Sequence, residues 1–224
     1  MSRKELIKRY LLFIIGLFFA GVGVAFTKHG ELGVSPISSV ANVMSYRFTF
    51  LTMGNWLILW NCVLILGQIL ILRRDFKWYQ LLQVPLSFLF GWFTDIGMWA
   101  VSFLPTPNYA SRVLMLLIGI VVLGFGITLS VIANVIMNSG EAIVKAISDK
   151  TGKVFGNVKV IFDISCVSFS ILLSILFFHG QIVGTREGTV ISAICTGLVV
   201  KRLTKWMKKP IERLFSLDGR IKEC

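Results

Sequence analysis

More than half of the 224 residues are hydrophobic (55%) and only 15% are charged, giving a mean hydropathy of +0.79. That balance excludes an ordinary soluble domain and makes the bilayer the main solvent of the chain. A formal charge of +12 would suggest a nucleic-acid partner in a soluble protein, but here the cations sit in short connections between apolar runs with no nucleic-acid motif beside them, so none is expected.

Six runs come close to the ~20 apolar residues that cross a bilayer: residues 10–28, 54–73, 78–104, 111–138, 155–179 and 185–204. The first could pass for a signal peptide, yet it lacks a convincing small-residue cleavage site and its glycines reappear deep in the chain, so it reads as a span. Between the first two runs, Ser35 followed by Pro36 is a helix start. The residues after it place Ile37, Val40 and Met44 on one face and Ser38, Asn42 and Ser45 on another. The second span opens with Gly54-Asn55-Trp56, and the third carries Asp95. After the fourth, Asn138-Ser139-Gly140-Glu141 opens a second short segment. The fifth begins with Gly156-Asn157 and carries Lys159 and Asp163. In the sixth only the thirteen residues from Gly188 to Val200 are free of charge. Residues 206–224 read as a basic amphipathic cytoplasmic tail that anchors on membrane lipids. The terminal Cys224 does not stand where a prenylation signal needs it.

Gly16, Gly21 and Gly23 recur as Gly119, Gly124 and Gly126 at an offset of 103, and Gly54-Asn55 recurs as Gly156-Asn157 at 102. Such register marks an internal repeat. It divides the chain into a first three-span repeat, 1–104, and a second, 105–205, ahead of the tail. With the N-terminus in the cytoplasm, nineteen of the 23 Lys and Arg fall on the inside, leaving Lys28, Arg47, Arg112 and Arg186 outside. Both termini are therefore expected in the cytoplasm. Three spans per repeat turn the second copy upside down. The expected fold is an all-α polytopic membrane protein of six transmembrane helices in two inverted-topology repeats, an architecture common among secondary transporters. Each repeat has one helix too short to span, either half-inserted or interfacial, whose N-terminus suits an anion or a carboxylate.

The glycine-rich first span, Leu32-Gly33-Val34-Ser35-Pro36, Gly54-Asn55-Trp56, Gly91-Trp92-Phe93-Thr94-Asp95 and Gly184-Thr185-Arg186-Glu187-Gly188-Thr189 together resemble the YczE/YyaS/YitT-like family of bacterial integral membrane proteins, over nearly the whole chain. The resemblance implies a multi-pass protein of the bacterial inner membrane, in a group generally regarded as uncharacterised and sometimes assigned to transport. Two departures stand out. The family often has Gly-Pro where this chain has Gly140-Glu141, and it favours arginine and glutamate where this chain has Lys159 and Asp163, a pair that keeps the charge.

Ionisable residues inside a membrane are functional candidates by default. Asp163 and Asp95 are the candidates for proton coupling, since burial raises a carboxyl toward working pH. Lys159, one turn before Asp163, can pair with it and do no more than neutralise it. Asn61, the counterpart of Asp163, would face it near the pseudo-axis. Aligning Gly91 with Gly197 sets Asp95 opposite Lys201 and brings it near a helix end. Asn55 and Asn157 read as helix caps. The solute-binding candidates are Asn61, Asp163 and Lys159, with Ser35, Ser38 and Asn42 of the first short helix, Asn138, Ser139 and Glu141 of the second, and Arg186 and Thr189 before the sixth span. Arg186 could equally pair with Glu187.

The histidines, His29 and His179, fall in loops, and no catalytic, phosphate-binding or metal-spaced motif is present. No enzyme activity, cofactor or metal is expected. The leading expectation is a secondary transporter of a small polar organic solute with its site between the repeats, and with a homodimer as an open alternative to a monomer. The other expectations are a substrate-binding membrane subunit of a vitamin importer and a non-transport accessory or regulatory protein.

Overall fold

The computed structural model describes residues 3–214, which are almost entirely helical. The elements are α1 (Arg3–His29), α2 (Pro36–Arg47), α3 (Met53–Leu72), two 3-10 turns (Arg73–Asp75 and Trp78–Leu82), α4 (Gln83–Val101), α5 (Tyr109–Ala133), α6 (Ser139–Thr151), α7 (Phe155–Phe177) and α8 (Glu187–Leu214). Among the described residues five stretches are long and apolar enough to cross a membrane: Arg3–His29, Met53–Asp75, Trp78–Val101, Tyr109–Ala133 and Phe155–Phe177. The sixth expected span is the first part of α8, which runs unbroken into the basic segment and past Pro210. A boundary at 206 therefore falls inside a helix. Residues 215–224, with Cys224 and the last cations of the expected tail, lie outside the described residues.

Local chemistry sets the helix ends. Pro36 holds the first position of α2, as its fixed φ favours. Asn134 takes the left-handed conformation at φ 47° and stops α5 at Ala133, so residues 134–138, expected to continue the fourth span, connect it to α6 instead. Thr52 caps α3, accepting the Asn55 N–H at 3.1 Å. Asn55 is thus the donor and not the cap. Val154, not Asn157, stands at the N-cap of α7. Both asparagine caps expected from the sequence are corrected: each helix is capped three residues earlier.

The two long helices α1 and α5 run antiparallel in intimate contact. The Arg9 guanidinium donates to the Ala133 carbonyl at 3.2 Å, Gly16 lies against Gly126, and Gly23 lies against Leu123, with Gly119 against Thr27 and Gly23. Small residues allow backbones this close, which in lipid replaces the missing hydrophobic drive. From this pair α4 packs on α1, where Gly21 meets Phe93 and Thr94, and α8 packs on α5, where Gly124 meets Val199. The main core cluster joins Leu12, Phe13, Leu17 and Val24 of α1 to Leu123, Leu129 and Ile132 of α5, and Ile211 of α8 is buried in it. The tail segment up to Ile211 is thereby packed on the bundle along one face.

Helix ends segregate into two groups. At one end Glu31 pairs with Arg112 at 3.0 Å, His29 Nε2 meets the Leu104 carbonyl at 2.7 Å, and the Phe48 and Phe177 rings stand edge to face. At the other, Lys150 pairs with Asp75 at 3.2 Å. The short helices connect these ends to the interior. A β-carbon on Gly140 would stand 2.6 Å from Ile37 Cδ1, so α2 and α6 begin beside each other inside the bundle and lead out to opposite ends.

Candidate functional site

The polar groups that the sequence singles out fall into three places. The first is a seam between α3, α4 and α6. Ser139, at the start of α6, donates its hydroxyl to Asn61 Oδ1 at 2.6 Å, and its carbonyl accepts from Gln68 Nε2 at 3.2 Å. Gln68 and Gln83 exchange amide hydrogen bonds at 3.1 and 3.2 Å, both buried. Asn138 accepts the Ser139 N–H at 2.9 Å and caps α6. Asn61 is 4% exposed, and its Nδ2 has no hydrogen-bond partner. Unpaired buried donors are uncommon. The space left here is small: the cavity beside Phe13, Leu17, Gln83 and Asn138 measures about 10 Å³, and Ile37 fills the contact with Gly140. The described side chains are closely packed here.

The second place is on α6 and α7. Lys159 and Asp163 form an ion pair at 2.5 Å, one helical turn apart, with side chains 27% and 18% exposed. Glu141, half-buried in the first turn of α6, shares their field: burial pushes its carboxyl up, while Lys159 pulls it back down. The side chains of Asn61 and Asp163 do not bond to each other; Asn61 is held by Ser139 and Asp163 by Lys159.

The third place is at the Phe48 end. Asp95 on α4 accepts the Gly54 N–H at 2.8 Å and the Thr52 hydroxyl at 2.6 Å, so one carboxylate ties the start of α3 to α4. A carboxylate at a helix N-terminus is favoured by the dipole and by the free N–H groups. Lys28 donates to Ser45 and lies 4.7 Å from the centre of the Tyr46 ring. An open cleft of about 310 Å³ runs between Lys28 and Asp95. Just before α2, Ser35 donates to Ser38 at 2.9 Å, and farther along the helix Asn42 Nδ2 donates to the Gly184 carbonyl at 2.6 Å while its Oδ1 has no partner. Thr189 is fully buried against Gly33, also without a partner for its hydroxyl. Arg186 stands 3.5 Å from Glu187, an exposed pair, so its charge is directed at its neighbour. Sequence reasoning passed over Lys28 and Thr52, the first counted only as a loop cation. A threonine three residues before the Asn55 N–H was the available signal for the cap. Among the described residues no three His, Cys, Asp or Glu side chains converge as metal ligands would.

The chain is 27% identical over 201 residues to the uncharacterized membrane protein YczE of Bacillus subtilis (strain 168), covering 89% of this chain and 86% of that protein. No solved structure matches it. Residues 7–205 match the model of a family of unknown function, DUF6198. With that match spanning most of its length and its helices apolar enough to cross a membrane several times, this chain belongs to the DUF6198 family of membrane proteins.

Proposed function

We propose that this chain is a secondary transporter of a small polar organic solute in the bacterial inner membrane, built as two inverted three-span halves with the first part of α8 as the sixth span. The observation that carries this reading is a difference between like parts. A β-carbon at Gly54 would run into the Gly91 carbonyl, and one at Gly91 would stand 2.7 Å from Gly54 O: α3 and α4 are interlocked. The counterparts Gly156 on α7 and Gly197 on α8 would meet nothing within 4 Å. One pair of corresponding helices is packed while the other stands apart, the relation that two access states of an inverted repeat exchange.

Other contacts support the symmetry. Gly16 touches Gly126 as Gly23 touches Gly119, so each position meets the copy of the other. Ile37 and Gly140, which meet at the starts of the short helices, are themselves 103 apart. For α8 as a span, Gly188 donates to Leu32 O at the Phe48 end, whereas Ile211 is buried in the cluster that holds Leu12, Phe13 and Ile132. In the exchanged state α7 and α8 would close through Gly156 and Gly197, and Asp95 would release α3. The packed seam at Ser139 would have to part for a solute to pass, and Asn61 Nδ2 and Asn42 Oδ1 would then find partners on it.

The test is uptake into proteoliposomes by a protein without native cysteines that carries Gly156→Cys and Gly197→Cys. The expected result is a disulfide that stops uptake and is reversed by reductant. If oxidation leaves uptake unchanged, or no cross-link forms during turnover, the exchange does not occur. Uptake driven by a pH gradient should also fall in Asp163→Asn or Asp95→Asn; if both keep it, neither carboxylate couples protons.

A further inference from the structure

The cleft of about 310 Å³ at the Phe48 end has a cation on one wall and an anion on the other, with no bond between them. That volume is at the lower end of the range typical of small-molecule sites. Lys28 supplies an ammonium that donates to Ser45 and stands 4.7 Å from the centre of the Tyr46 ring, which holds it to its own wall. Asp95 supplies a carboxylate that accepts from Thr52 and Gly54 and keeps lone pairs to spare. Among the described residues the two do not form an ion pair with each other, although Lys28 lies in the field of Asp95. Each charge is anchored to its own wall, Lys28 on Ser45 and Asp95 on Thr52 and Gly54. Thr49 and Thr52 add hydroxyls to the lining, and Leu51, Met53 and Met98 give it an apolar wall.

We infer that this cleft binds a small zwitterion of amino-acid size, its carboxylate on Lys28 and its ammonium on Asp95. A bipolar ligand satisfies both walls at once, whereas a singly charged one leaves the opposite wall unpaired. The site also explains a link to movement: the ammonium group competes with Thr52 and Gly54 for the carboxylate that ties α3 to α4. As a substrate assignment the inference rests on the transport reading; as a binding site it does not.

The experiment is equilibrium binding to the purified protein in lipid nanodiscs, read by calorimetry and thermal shift. The probes are L-alanine, L-leucine and L-glutamine, with N-acetyl-L-alanine and L-alanine amide as analogues that each lack one charge. The expected result is that at least one zwitterion binds and that both of its single-charge analogues bind at least ~10-fold more weakly, as loss of one ionic contact implies. Lys28→Met should weaken the zwitterion by a similar factor, and Lys28→Arg should restore most of it. Lys28 is the primary variant because Asp95→Asn loosens the start of α3 as well. Equal binding of the amide and the parent amino acid, binding indifferent to Lys28→Met, or no binding by any of the three zwitterions would overturn the inference. Binding without uptake would sink the transport reading and leave the site standing; uptake indifferent to these charges would do the reverse.

Discussion

Gln68 and Gln83 satisfy one another inside the bundle, and Gln68 also donates to the Ser139 carbonyl. Removing one side of a buried pair leaves the other desolvated, at a cost of about 1–3 kcal/mol, while removing both is closer to neutral. Gln68→Leu and Gln83→Leu are each expected to lower the unfolding midpoint in detergent, and the double variant should lose less than the sum. Additive losses would show that the two amides are not coupled. Glu141 gives a pH-dependent counterpart. Its carboxyl is pushed up by burial, so the folded state favours the neutral form. Its contribution is complete below the ordinary carboxylate range and is lost as pH rises through the raised value. Glu141→Gln should therefore match the wild type in stability under acid conditions and exceed it near neutrality. A constant gap across that range would remove Glu141 from the pH response.

At the scale of helices, repeated glycines make a paired experiment possible. Gly54→Ala sets a methyl group against Gly91 O and 2.6 Å from the Asp95 carboxylate, so a loss of about 1–3 kcal/mol is expected from overpacking. The corresponding Gly156→Ala meets nothing, and Gly197→Ala, inside α8, should gain up to about 1 kcal/mol from helix propensity alone. Thermal unfolding of these variants checks the asymmetry without any knowledge of the solute. Equal losses at Gly54 and Gly156 would mean that α7 and α8 are as tightly packed as α3 and α4. The sequence displays both glycine pairs in register, but spacing does not reveal whether a glycine is occupied by a neighbour or open. That depends on where the partner helix lies.

For the whole molecule, helix ends fall into two groups, with Arg112 and Glu31 at one end and Lys150 and Asp75 at the other, and the proposed orientation puts the second in the cytoplasm. In a background free of native cysteines, Asn108→Cys is expected to react with a membrane-impermeant maleimide in intact cells and Lys153→Cys only after permeabilisation. The opposite pattern would invert the proposed orientation.

Apolar length, cation counts and the position of Pro36 are local quantities, so the sequence alone determined a helical membrane chain, the approximate bounds of its long helices and the two short helices between them. Lys159 and Asp163 were legible for the same reason, being one turn apart on a single helix. Which polar group meets which across the bundle was not local. Asn61 with Ser139, Gln68 with Gln83, and Lys28 facing Asp95 across a cleft are set by helix packing over tens of residues. Only the tertiary structure could decide that the seam around Ser139 is closely packed and that an open cleft lies at one end, because free space is what remains after every neighbour has been placed.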